Sequence, residues 1–224
     1  MHEVFPMGFW GTQAIDDVPL TDVADWAACG MTLTVAPHYS PDPERKKKLL
    51  ALLDECHKFG IRLILSDSRT TWRGASSDPD GYRSRVAEAV ADFGAHPAVF
   101  GFHLGDEPGE KAFADIKAAI AIQIELAPHL KPYLNHFPCF PSVLPLLGCK
   151  DYEEWSHKVL PELGAPLISF DNYTQTAILR FSASLGIMVR RSLRFRISIS
   201  RFCRFNNFST QLASISHLCI FQNK

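Results

Sequence analysis

A chain of 224 residues, 46% hydrophobic and 21% charged, can bury a core as a single domain and is too apolar for an intrinsically disordered segment. No run approaches the roughly 20 apolar residues that span a bilayer, and MHEVFPMGFW lacks the basic-then-apolar order of a signal peptide in the chain as written. The formal charge of −1 hides an asymmetry: up to Asp171 there are 15 basic and 24 acidic residues, net −9, and beyond it eight basic and no acidic ones, net +8.

Along the chain, six apolar runs read as strands: VFPMGFW (4–10), MTLTVAP (31–37), IRLILSD (61–67), AVFGFHL (98–104), LKPYLNH (130–136) and PLISFDNY (166–173). Helical spacing lies between them. Leu49, Leu52, Leu53, Cys56 and Phe59 recur at three- and four-residue steps, as do Tyr82, Val86, Ala89, Val90 and Phe93, and then Phe113, Ile116, Ile120 and Ile124. Gly30 and Gly60 fall where a helix ends and a strand follows, the place of a left-handed C-cap. Asp42-Pro43-Glu44, followed by Arg45 and three lysines, reads as an ordinary solvated helix start.

Such βα repetition implies parallel strands joined by right-handed crossovers. A doubly wound sheet usually carries a Gly-rich phosphate loop after its first strand, and GFWGTQAIDD is neither GxGxxG nor a GK[ST] loop. An incomplete (β/α)8 TIM-type barrel of about six βα units is the better reading. In that fold polar residues gather at the C-terminal strand ends, and here Trp10, His38, Asp67, Asp106-Glu107, Asn135-His136 and Asp171-Asn172-Tyr173 each close a candidate strand.

The rhythm stops after Tyr173. The 51 residues that follow contain no acid and no proline and are rich in Ser, Phe, Arg and Ile. Residues 1–175 are therefore read as a partial barrel and 176–224 as a basic tail foreign to it, as a shifted reading frame, a retained intron or a misplaced gene end would produce; a genuine basic surface extension is the alternative. The six cysteines form no CxxC pair and read as free thiols, with a Cys139–Cys149 loop disulfide as the alternative.

Four strings, GFWGT, TVAPH, GFHLGDEPG and ISFDNYTQ, at the first, second, fourth and sixth strands, give residues 4–175 a resemblance to the glycoside hydrolase (β/α)8 barrels, especially β-galactosidase-like members. The resemblance implies a retaining two-carboxylate mechanism on O-glycosidic bonds, with the acid/base glutamate at the end of the fourth strand and the nucleophile at the end of the seventh. Only the first, Glu107, has a counterpart here. The chain is accordingly expected to be an inactive copy of such an enzyme, with a carbohydrate partner, no cofactor and no nucleic acid, and with relatives that are secreted.

Along the fourth strand, Phe100, Phe102 and Leu104 share one parity, suited to the helix layer, and Gly101, His103, Gly105 and Glu107 the other, suited to the barrel axis. Glu107 is thereby expected to point into the barrel mouth, with Pro108 holding it in the extended region; Asp106, of opposite parity, is expected to bond the loop or a neighbouring side chain. Capping of the next helix is the alternative role for Glu107. Trp10 and Tyr173 are candidates to stack on a sugar, and His38, Asp67, Asp106, Asn135, His136, Asp171 and Asn172 to bond its hydroxyls. Trp72 is a further aromatic candidate. A metal bound by His38, His136, Asp67 and Asp106 lacks any HxH or HExxH spacing in its favour. Two other classes stay open: a non-catalytic carbohydrate-binding barrel, and a module binding acidic lipid or nucleic acid through the seven arginines of residues 178–204.

Overall fold

The structure, a computed structural model, describes residues 6–138 and 140–171. In chain order the elements are α1 (Asp22–Ala28), β1 (Leu33–Val35), α2 (Pro43–Lys58), β2 (Arg62–Leu65), α3 (Pro79–Phe93), β3 (Val99–Asp106), α4 (Phe113–Leu126), β4 (Tyr133–His136), α5 (Leu144–Leu147), α6 (Tyr152–Glu154), a π-helical turn (Trp155–Val159), α7 (Leu160–Leu163) and β5 (Ser169–Phe170). All neighbouring strands are parallel and their order is β1-β2-β3-β4-β5, so each new strand is added beside the last and the sheet curls into a half-barrel. No strand order reverses, which excludes a doubly wound sheet for the described residues.

Among the described residues five strands form where six were expected. The described part of the first apolar run, residues 6–10, is irregular but occupies a strand position: Val35 N–H donates to the Phe9 carbonyl (3.0 Å), Gly11 N–H donates to the Val35 carbonyl (2.8 Å), and Trp10 bridges Val35 in parallel. The expected boundary at residue 175 and the basic tail lie outside the described residues, as does Cys139 and with it the Cys139–Cys149 alternative; Cys149 is buried.

Local chemistry explains the helices. Asp42 caps α2 by accepting from Glu44 N–H (3.0 Å) and Arg45 N–H (2.9 Å), with Pro43 in the first turn where its missing N–H costs nothing. Gly60, at φ 71°, ends the turn after α2. The α2 face of Leu49, Leu52, Leu53 and Cys56 buries against Leu63, Leu65, Val99 and Phe102 on the outside of the sheet, each large side chain contributing about 1.5–3 kcal/mol. On α4 the buried set is Ile116, Ala119, Ile120, Ile122 and Gln123, while Ile124 is exposed, a one-position rotation from the expected stripe. Between β4 and β5 no single helix forms. Pro145 and Pro161 begin new helical pieces, and Gly148 and Gly164, both left-handed, end them.

The concave face of the half-barrel carries Leu33, Val35, Ile64, Tyr133 and Leu167, with Trp10 and Phe100 against them. Phe100 is therefore inward, contrary to the parity reading. The register between β2 and β3 slips between Leu63 and Ile64, opposite Val99 and Gly101, and the extra residue reverses which side chains face in.

Candidate functional site

A second slip decides the site. His103 pairs with Tyr133, but Gly105 already pairs with Leu134 and Asp106 with Asn135, so β3 carries one residue more than β4 across this bulge. Inward positions on β4 and β5 are Tyr133 and Asn135, and Leu167, Ser169 and Asp171. On β3 the inward residues become His103 and, after the bulge, Asp106. The outward parity read for Asp106 is corrected by this slip, while the bond to a neighbouring side chain is as expected: the Asn135 amide donates to it at 2.9 Å.

Glu107 stands one residue beyond the strand at φ +44°, the only non-glycine with positive φ among the described residues. Pro108 does not hold it extended. Its conformation is fixed instead by its own N–H, which donates to the Asn135 carbonyl (2.9 Å). A non-glycine residue in this region costs roughly 1–2 kcal/mol, a strain that the surrounding structure must offset. Glu107 is also not a helix cap, because the turn that follows begins at Gly109 and neither it nor α4 has a side-chain cap.

The bulge is possible because residue 105 is glycine. At φ +152° a side chain is already unfavourable, and a β-carbon there would fall inside the Trp72 indole. Trp72 is thus occupied in packing on the β3 backbone, and its own backbone N–H donates to the Leu104 carbonyl (3.2 Å). Gly105→Ala is expected to lower the unfolding free energy by about 1–3 kcal/mol and to change the Trp72 fluorescence. An unchanged denaturation midpoint would show that the indole yields freely.

Electrostatics single out one group in the mouth. Burial, then the neighbouring charges of Asp106 and Asp171 and a hydrogen bond with Asp171, push the Glu107 carboxyl up to about 7. A carboxylic acid that is half protonated near neutrality can donate a proton to a leaving oxygen. Around it runs a connected network: Tyr133 Oη and Ser169 Oγ share a hydrogen bond (2.8 Å), Ser169 donates to Asn135 Oδ1 (2.9 Å), and the Asn135 amide donates to Asp106 and Asp171 (2.9 Å each). Below it, His103 lies edge-on to Trp10 (5.2 Å between ring centres) and tilted on Tyr133 (5.6 Å). Burial holds His103 down at about 4, with His38 acting in the same direction against a bond to the Gly105 backbone, so the ring is neutral while Glu107 titrates.

The structure thus gathers Trp10, Asp106, Glu107, Asn135 and Asp171, with His38 exposed nearby and within Ser66 and Ser40 contact (3.4 and 3.5 Å). Two candidates lie elsewhere. Asp67 is wholly buried, its oxygens taken by the Arg69 guanidinium (3.1 and 2.8 Å) and the Arg69 N–H (2.9 Å). His136 alternates to the outer face, where its ring stands 5.2 Å from Trp155 and burial pushes it down to about 4. Asn172 and Tyr173 are outside the described residues. Sequence reasoning passed over His103, Tyr133 and Ser169 as site residues, although Tyr133 precedes Asn135, and Ser169 precedes Asp171, by the two residues that return a strand to the same face. No group of three His, Cys, Asp or Glu among the described residues is arranged to hold a metal ion, and none of their helices is long and apolar enough to cross a membrane.

Comparison with solved structures gives this architecture its relatives. A candidate alpha-L-fucosidase from Bacteroides thetaiotaomicron superposes with a TM-score of 0.54 at 12% identity, covering 82% of this chain and 71% of its own. A beta-galactosidase from the psychrophilic Marinomonas ef1 gives 0.52 at 14% identity, with 74% of this chain and 40% of that one covered. The fold is one shared with glycoside hydrolases. Neither a protein-family model nor a curated protein matches the sequence.

Proposed function

We propose that the chain derives from a retaining glycosidase acting on O-glycosidic bonds, with Glu107 as its proton donor, and that in its present form it does not turn over substrate. The carrying observation is the Glu107 carboxyl, raised to about 7 at a strand end beside two further carboxyl groups. A retaining pair needs its second carboxylate about 5–5.5 Å away across the sugar. Asp171 is instead in hydrogen-bond contact with Glu107, too close to attack the opposite face of a ring, and Asp67 is closed off by Arg69. Trp10, His38, Asp106, Asn135 and Asp171, with Asn172 and Tyr173 beyond the described residues, form the proposed sugar-contacting set; Asp67 and His136 serve packing. Residues 1–175 are the proposed barrel portion and 176–224 a foreign tail. That neither Asp171 nor Asp67 among the described residues stands opposed to Glu107 also favours a second reading, in which the rim binds carbohydrate without chemistry.

Aryl glycosides test this directly. The 224-residue chain is expected to show no turnover above background across hexose and deoxyhexose substrates, with sugar binding at most weak by calorimetry. Hydrolysis abolished by Glu107→Gln would keep the assignment of the acid and overturn the claim of inactivity. Hydrolysis unaffected by that substitution would remove both.

A further inference from the structure

Asn135 is wholly buried and holds Glu107 and its neighbours from two sides. Its carbonyl accepts the Glu107 N–H (2.9 Å), which fixes the backbone in its left-handed conformation. Its amide divides its two N–H groups between Asp106 Oδ1 and Asp171 Oδ1 (2.9 Å each). Its oxygen accepts from Ser169 Oγ (2.9 Å), itself bonded to the Tyr133 hydroxyl (2.8 Å), and Ser169 and Tyr133 are wholly buried. The amide oxygen and both N–H groups are used, so the orientation is set: a flipped amide would turn its oxygen toward two carboxyl groups and take from the Ser169 hydroxyl the oxygen to which it donates. The strand registers make this row, since Asp106 pairs with Asn135 and Asn135 with Ser169.

We infer that Asn135 is the positioning residue of the mouth, the group that holds Asp106 and Asp171 in place around the Glu107 carboxyl. Its two N–H groups fix one oxygen of each aspartate (2.9 Å each), and its carbonyl fixes the Glu107 backbone (2.9 Å). The charged groups acting on Glu107 are the two that Asn135 holds, Asp106 on its own strand and Asp171 after β5, and their proximity adds to burial in favouring the protonated Glu107 carboxyl. This inference rests on the reading of Glu107 as a proton donor for its functional meaning, but the titration of Glu107 is measurable without turnover.

The experiment is a carbon-13 NMR titration of the Glu107 side-chain carboxyl in the full chain, compared with Asn135→Ser and Asn135→Leu. The first variant admits water and the second excludes it, so desolvation acts oppositely in the two, while both remove the amide donors. In each folded variant the Glu107 midpoint is expected to fall by at least ~1 pH unit, a tenfold loss in proton affinity, as the two aspartates are no longer held beside it. Ile64→Val, a change on the same concave face that touches no polar group, is expected to leave the midpoint in place. A midpoint that stays or rises in the Asn135 variants overturns the inference, and so does an equal fall in Ile64→Val. Should neither Asn135 variant fold, Ser169→Ala, which removes the bond that orients the amide, is expected to lower the midpoint in the same direction by a smaller amount, and no change there is equally fatal. Aryl-glycoside hydrolysis unaffected by Glu107→Gln, together with the expected titration, would sink the glycosidase reading alone.

Discussion

Replacing Arg69 by methionine is expected to destabilise the protein by about 3–5 kcal/mol, the range for stranding one partner of a buried ion pair. Arg69 is nearly enclosed and Asp67 fully so; the guanidinium grips Asp67 through Nε and Nη2 and reaches Asp92 through Nη1 (2.9 Å). Burial opposes the Arg69 charge, yet the hydrogen bonds and charges of Asp67 and Asp92 hold its pKa above the usual guanidinium value. Methionine matches the length and removes the charge, leaving the buried Asp67 without its cation. The pair also organises the loop after β2, where the Thr70 carbonyl accepts from Tyr82 Oη (2.9 Å) and Gln123 Nε2 (3.0 Å) and from which Trp72 reaches Gly105. Chemical denaturation of Arg69→Met, Asp67→Asn and the double variant checks this. The double variant should recover most of the loss, because no uncompensated charge is left behind. A cost below ~1 kcal/mol for Arg69→Met would mean that the site is wetter than the packing indicates, and would return Asp67 to the set of available mouth residues.

The second large effect is a slope of stability against pH. His103 and His136 are held near 4 against an ordinary 6.5, and Glu107 near 7 against an ordinary 4.5. Between pH 4.5 and 6.5 the unfolded chain binds a proton on each histidine that the folded chain refuses. In the same window the folded chain keeps a proton on Glu107 that the unfolded chain releases. The two histidines outweigh the one acid, so the unfolded state binds one more proton and stability rises with pH by about 1.4 kcal/mol per unit. The histidine contribution is fully present above pH 6.5 and is lost as the pH falls toward 4; the Glu107 term runs the other way, lowering stability as the pH rises from 4.5 to 7. Glu107→Gln removes the opposing term. Its slope in that window should be about 2.7 kcal/mol per unit, and near pH 8 it should be more stable than the native chain by about 1–3 kcal/mol. Equal slopes for the two proteins would show that the Glu107 carboxyl is not raised, and with it the proton-donor assignment would fall. Of the histidines, His136 acts on packing alone, so His136→Phe should halve the acid sensitivity of the Glu107→Gln protein without touching the mouth.

What the sequence determined by itself is the architecture and the placing of its polar edge. Parallel strands in sequential order follow from apolar runs separated by helical spacing, because each βα unit must bury its apolar face on the sheet and the right-handed crossover leaves one place for it. Local chemistry was legible too: Asp42 and Pro43 start α2, and Gly60 ends it. The β4 and β5 faces also follow simple alternation, from which Asn135 and Asp171 could be placed together. Strand β3 could not be read this way. Its two register slips depend on what lies beside it, β2 below and β4 with Trp72 above, and a one-residue slip turns every later side chain to the other face. Phe100 went inward and Asp106 joined the mouth for that reason. Asp67 and His136 were misplaced by a different cause, since a polar residue at a strand end looks the same in sequence whether it meets solvent, an arginine two residues on, or a tryptophan from a later helix. The raised Glu107 carboxyl is likewise tertiary: it exists because three strands bring Asp106, Asn135 and Asp171 within hydrogen-bond reach of one another, and no periodicity records charges that meet only when the sheet curls.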